Sequence, residues 1–148
     1  MKILQVVGYK DTGKTMLIVE FLKILKDSNL KAAVIKHHHI DIDESTDTGK
    51  FSRLSDYTIL NTPNYTIYHD NKVPDLEEQI EALNGKVDVV LVEGYKSKDY
   101  DKIVLTHSFT GEKGDIRDLE LSNVVNYYNV ASDQDAILQW FKGWSKNR

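Results

Sequence analysis

The segment GYKDTGKT, residues 8–15, separates Gly8 from Gly13 by four residues and follows the second glycine directly with Lys14 and Thr15. This fits G-x-x-x-x-G-K-[ST], a loop whose backbone amides cradle phosphate oxygens. Glycines at both positions permit backbone angles that a side chain would forbid, so successive N–H groups turn inward, helped by the N-terminus of the helix that follows. Lys14 brings positive charge to the terminal phosphates, and the Thr15 hydroxyl is a ligand for magnesium. The expected nucleotide-contacting set is Gly8, Asp11, Thr12, Gly13, Lys14, Thr15 and Met16.

A metal beside such a loop needs a carboxylate from the end of a neighbouring buried strand. VDVVLVEG, residues 87–94, provides Glu93 there, followed by Gly94, which lets the chain turn close to the ligand. Lys14 and Glu93 are the candidate catalytic residues. Asp88, at the opposite end of the same strand, is not expected to reach the metal. A third cluster, KHHHIDID, gathers Lys36, His37, His38, His39, Asp41 and Asp43. Alternate histidines on a strand share a face and suit zinc or nickel, but three consecutive histidines cannot all face one ion without a bend. Asp41 or Asp43 near magnesium is the sharper expectation, which makes the candidate metal set Thr15, Glu93, Asp41 and Asp43.

The elements that must hold these groups follow from apolar periodicity. Residues 3–7 are a short, β-branched apolar run ending at a glycine, as a buried strand entering a turn does. Over residues 14–26, Leu17, Ile18, Phe21, Leu22, Ile24 and Leu25 recur at helical spacing, and LKAAVIK reads as the next strand. Strand, helix and strand within about 35 residues make a βαβ unit. DIDESTDTGK predicts a long polar loop, FSRLSDYTILN a short helix, YTIYH a short strand and DLEEQIEALN a helix with acids in its first turn. The nearly continuous valines of residues 87–92 belong to a strand buried on both faces of a parallel sheet. KIVLTH and NVVNYYNVAS are further strand regions, GEKGD is a turn, and a last helix carries Ala136, Ile137, Trp140, Phe141 and Trp144 on one stripe. These elements predict an α/β, three-layer P-loop NTPase fold with a mostly parallel central sheet, in a single nucleotide-binding domain over residues 1–148.

Composition narrows the function classes. The net charge of -4 disfavours a broad nucleic-acid-binding field. The chain has no cysteine, which excludes disulfides, thiolate metal sites and cysteine nucleophiles and fits a reducing compartment. The opening MKILQVVG reads as neither a signal peptide nor a membrane span, so a soluble cytoplasmic protein is expected.

Three blocks in order, VVGYKDTGKT, AVIKHHHIDID and VDVVLVEGYK, resemble the molybdopterin-guanine dinucleotide biosynthesis protein B (MobB) family. KIVLTH and NVASDQDAILQWF extend the similarity over most of the chain, with Tyr95 in place of a phenylalanine. Residues 47–61 depart from the family pattern, whose Ala-Gly-Ala is missing. The resemblance implies a GTP-binding, magnesium-dependent protein with slow hydrolysis, an adaptor more than an enzyme and usually dimeric. It would assist the GMP-transferring, MobA-like nucleotidyltransferase that converts molybdopterin to molybdopterin guanine dinucleotide. Preference for GTP rests on resemblance alone, since no Asn-Lys-x-Asp block is present; ASDQD, residues 131–135, is a candidate for base contacts.

Two other classes compete. A small P-loop metabolite kinase would bring clustered arginines over the transferred phosphoryl group, whereas Arg53, Arg117 and Arg148 are scattered. An NTP-driven metallochaperone would use His37, His38 and His39. Edge strands such as YTIYH or KIVLTH are candidates for pairing between chains.

Overall fold

The computed structural model describes residues 1–38, 45–107 and 114–147. In chain order the elements are β1 (Lys2–Gly8), α1 (Lys14–Asp27), β2 (Ala32–Lys36), α2 (Asp47–Leu54), β3 (Tyr57–Asn61), β4 (Thr66–Asp70), α3 (Leu76–Ala82), β5 (Val89–Glu93), β6 (Lys102–Leu105), β7 (Val124–Tyr128) and α4 (Val130–Lys146). They fall into two compact units, one of Met1–His37 with Leu83–Arg148 and the other of His38–Ala82.

The larger unit is built on a five-stranded sheet in the order β2-β5-β1-β6-β7, with every pair parallel. Parallel strands need crossovers and aim all their carboxyl ends the same way, which defines one ligand-binding edge. On one face Leu4 and Val6 of β1, Leu91 of β5 and Ile103 and Leu105 of β6 meet Leu17, Ile18, Phe21 and Leu25 of α1 and Ile137 and Phe141 of α4. The Phe21 and Phe141 rings stack with centroids 3.8 Å apart, and Trp140 and Trp144 pack against this core rather than forming a ligand platform. On the other face Val7 and Val104 pack against Ile116. This is the α/β P-loop NTPase fold, and β5, buried at all five positions, has the setting that its valines require.

Besides Glu93 at the end of β5, two buried polar side chains interrupt that apolar sheet. Lys102, fully buried at the start of β6, donates to the carbonyls of Lys98 (2.8 Å) and Ser122. Burial pushes its ammonium below the usual lysine value, against the opposing pull of Asp99 and Asp101. Gln5, in the middle of β1, is equally buried.

The smaller unit contains an antiparallel hairpin, β3 with β4, in which Ile59 faces Tyr68 and Leu60 faces Ile67. Thr62 closes its turn, donating through Oγ1 and N–H to the Tyr65 carbonyl. Thr46 caps α2 by accepting from the Gly49 N–H, and the Asn71 amide donates to the carbonyls of Ser52 (3.1 Å) and Ser55. Among the described residues no helix is long and apolar enough to cross a membrane.

Four local expectations change. The long polar loop ends early, because Asp47 already opens α2. The helix expected over residues 51–61 stops at Leu54, since the β-branched and aromatic run YTILN finds a cross-strand partner and becomes β3. The strand expected over residues 123–132 stops at Tyr128, where Asn129 caps α4 by accepting from the Ala131 N–H. KIVLTH is not an edge: β6 is paired on both sides, and the outer strands of the sheet are β2 and β7. Residues 111–113 of GEKGD lie outside the described residues.

Candidate nucleotide-binding site

The phosphate-loop sequence sits between β1 and α1, at the carboxyl edge of the sheet. Two of its residues are left-handed, Asp11 (φ 59°) and Gly13 (φ 85°). Gly13 is the N-cap of α1 and brings no capping side chain, and the first turn of the helix carries no acid. The opening N–H groups therefore lack the oxygen acceptor that a Ser, Asp or Asn cap would supply, the arrangement that receives an anion.

Gly8 serves a different purpose from the one expected. Its φ is not left-handed; space is what it provides. A Cβ there would stand 2.4 Å from Thr12 Oγ1 and 3.3 Å from Leu105 Cβ. Thr12, only 1% exposed, uses that room to donate to the Tyr9 carbonyl at 2.9 Å. Lys14 Nζ donates to the same carbonyl at 2.6 Å, so the lysine curls back over its own loop. Burial pushes the Lys14 ammonium below the ordinary lysine value; Glu93 opposes the shift, and the charges of Lys96 and Lys36 add to it. Asp11 is exposed, as are Thr15 and Met16 in the first turn of α1.

Parallel register brings the second cluster alongside. Glu93 is the Cα partner of Val6 on β1 and of Lys36 on β2. Glu93 is 8% exposed, and its carboxylate lies 3.4 Å from the Lys36 ammonium. The His37 N–H donates to the Glu93 carbonyl at 3.1 Å, and the His37 ring stacks on Tyr95 with centroids 4.8 Å apart. Asp88 is held at the opposite end of β5, where its carboxylate accepts from the Lys31 N–H at 2.8 Å. Asp41, Asp43 and His39 lie outside the described residues. Among the described residues no group of three or more His, Asp or Glu side chains converges on a metal-sized site. Arg117 is engaged by Asp115, whose carboxyl it holds down at about 2.

Three participants were not singled out from sequence. Lys36 belongs to the KHHHIDID cluster, and its ion pair with Glu93 depends on strand register. Gln5 left a signal, a polar residue inside ILQVV: its Nε2 donates to the carbonyls of Gly94 (2.7 Å) and Tyr95. Lys96 follows the Glu-Gly turn and places its ammonium 4.7 Å from the centre of the Tyr9 ring. The segment ASDQD lies in the opening turns of α4, after the carboxyl end of β7, where the Asp133 carboxylate accepts from the Asn129 N–H at 2.9 Å.

Comparison with known proteins shows what the chain is similar to. Residues 3–127 match the family described as molybdopterin guanine dinucleotide synthesis protein B. A Methanocaldococcus jannaschii protein, provisionally described as a molybdopterin-guanine dinucleotide biosynthesis adapter, is 34% identical over 142 residues. That alignment covers 90% of this chain but 58% of the archaeal protein, so the chain spans little more than half of that relative's length. A Bacillus subtilis protein with a similar provisional description is 27% identical over 130 residues, covering 83% of this chain and 73% of its own. Among solved structures, the Bacillus subtilis MobB superposes with a TM-score of 0.76 at 22% identity, and a MobB homologue from Bacillus stearothermophilus with 0.73 at 24%; both alignments cover 100% of each chain. On the strength of the family match over most of its length, the chain belongs to the MobB family.

Proposed function

We propose that this chain is a GTP-binding accessory protein of molybdenum cofactor maturation. It acts in the cytoplasm as a homodimer and assists a GMP-transferring, MobA-like nucleotidyltransferase that converts molybdopterin to molybdopterin guanine dinucleotide. The observation that carries the proposal is the loop itself. Gly8 is bare against Thr12, Asp11 and Gly13 are left-handed, α1 has no side-chain cap, and Lys14 is curled over the Tyr9 carbonyl. That combination suits a polyphosphate.

Gly8, Asp11, Thr12, Gly13, Lys14, Thr15 and Met16 form the proposed nucleotide-contacting stretch. Thr15 and Glu93 would hold magnesium, which when bound neutralises charge between the phosphates. A hydroxyl and a buried carboxylate are the hard oxygen donors that this ion takes. Until the metal is held, Lys36 balances the Glu93 charge. Lys14 would contribute a cation, and residues 131–135 are the proposed base-contacting segment. Asp41 and Asp43 complete the proposed metal set. Hydrolysis by the chain alone would be slow for want of a residue that orients water, a group that a partner could supply. The adapter descriptions of the relatives support the role in assisting a second enzyme.

For the dimer, the hairpin is the more suitable surface. Both its strands are edges, and Ile59 and Tyr68 are 57% and 75% exposed within the unit as it stands.

The direct test measures GMP transfer by the purified nucleotidyltransferase at limiting GTP, with and without this chain. Wild type should accelerate transfer and Lys14→Ala should not. Equal rates with wild type, Lys14→Ala and no addition would remove the accessory role.

A further inference from the structure

We propose that Lys96 is a second phosphate-binding cation of this site, aimed over the loop by the turn at residues 93–96, and that Gln5 is the positioning residue that holds this turn. The inference rests on the nucleotide-binding reading above and adds two residues to it.

The turn is tightly specified. Gly94 and Tyr95 are both left-handed (φ 89° and 51°), a conformation that a tyrosine adopts only when its surroundings impose it. Three donors impose it here. Gln5 Nε2 reaches the carbonyls of Gly94 and Tyr95, the Lys98 N–H closes on the Tyr95 carbonyl at 2.9 Å, and the Gly94 N–H donates to Val6 at 3.2 Å. Carbonyls only accept, so the Gln5 amide has one orientation, with its nitrogen toward the turn. Its Oε1 then has no hydrogen-bond partner among the described residues. An apolar residue would avoid leaving that oxygen unsatisfied inside the sheet, so the glutamine's contribution is directional: it fixes two carbonyls of the turn.

What the turn aims is charge. Lys96 sits against the face of Tyr9, while Lys14 binds the carbonyl of the same residue. Tyr9, the first residue after Gly8, thus carries one ammonium on its backbone and another on its ring. Lys14 feels the charges of both Lys36 and Lys96, with Glu93 and Asp11 as the opposing charges. Three cations against two anions leave a net positive charge at the uncapped start of α1, complementary to a polyphosphate.

The test is competition of inorganic tripolyphosphate against a fluorescent GTP analogue, at fixed magnesium and ionic strength. Lys96→Met keeps the stem over Tyr9 and removes the charge at a partly exposed position, so folding is not at risk. Losing one charge-assisted contact there predicts about tenfold weaker tripolyphosphate binding. Lys96→Arg should restore affinity to within about threefold, and the remote surface change Lys142→Met should have no effect. Gln5→Leu should weaken binding in the wild-type background but add no further loss to Lys96→Met, because it acts through that lysine. Lys96→Met within twofold of wild type, or no weaker than Lys142→Met, overturns the assignment of Lys96. Fully multiplicative losses for Gln5→Leu and Lys96→Met overturn the positioning role. If the wild-type chain binds neither GTP nor tripolyphosphate, the nucleotide reading itself fails, a result distinct from failure of Lys96 alone.

Discussion

Gly8→Ala isolates the most unforgiving contact of the loop. The added methyl would meet Thr12 Oγ1 at 2.4 Å and the Leu105 side chain at 3.3 Å. Leu105 is fully buried in the sheet core, and Thr12 is almost fully buried, so neither can yield cheaply. Displacing the Thr12 hydroxyl forfeits its bond to the Tyr9 carbonyl, a loss of about 1 kcal/mol. Overpacking adds about 1–2 kcal/mol more. The sum, about 2–3 kcal/mol, corresponds to a melting temperature lower by roughly 4–12 °C for a chain of this size. Thermal unfolding followed by tryptophan fluorescence is the appropriate assay, because Trp140 and Trp144 pack against the core of the same unit. Since Tyr9 also receives Lys14, GTP affinity should fall in parallel. The double variant Gly8→Ala with Thr12→Ala removes the hydroxyl responsible for the 2.4 Å contact and should regain part of the lost stability. A Gly8→Ala protein with wild-type melting temperature and affinity would refute the close-approach argument.

Three further outcomes are expected. Phe141→Ala removes one partner of the buried Phe21 stack and should cost about 3–5 kcal/mol, read by urea denaturation; a cost under 1 kcal/mol would mean that this core is not packed as described. Because burial holds Lys14 below 10.5 in the folded chain, GTP affinity should be full while the lysine is protonated and decline as pH rises through a value short of 10.5. The Lys14 contribution to stability has the opposite sign, rising with pH over that window because the unfolded chain binds the extra proton. Titrations from pH 7.5 to 11 showing flat affinity throughout would contradict the placement of Lys14. Ile67→Lys, on the hairpin, should shift the protein toward monomer in sedimentation while leaving the tryptophan-monitored melt unchanged; an unaltered dimer would exclude the hairpin as its interface.

Sequence was most informative where one local rule decided the outcome. The apolar run before Gly8, the helical stripe after Lys14 and the valine-rich β5 each follow a strong periodicity, and β1, α1 and β5 lie where these patterns place them. At Tyr57–Asn61, β propensity became decisive only once β4 was available as a partner, a non-local fact. The site divides in the same way. Lys14, Thr15 and Glu93 can be proposed from sequence because the chemistry of a phosphate loop requires those types at those points. Gln5, Lys36 and Lys96 cannot, since their roles come from parallel register and from a left-handed turn with Tyr95 where glycine is usual. Gly8 was recognised for a reason that the fold replaces: nearness of Thr12, and not a left-handed backbone, excludes a side chain there.

Residues 8–15 are proposed to hold the polyphosphate of a nucleotide, with Lys14 as its principal cation. Equilibrium titration of the wild-type and Lys14→Ala proteins with GTP and magnesium, after confirming equal melting temperatures, tests it most directly. Saturable binding by the wild type and a loss of at least tenfold for Lys14→Ala are expected, the magnitude of one charge-assisted contact. Equal affinity in the two proteins would contradict the proposal.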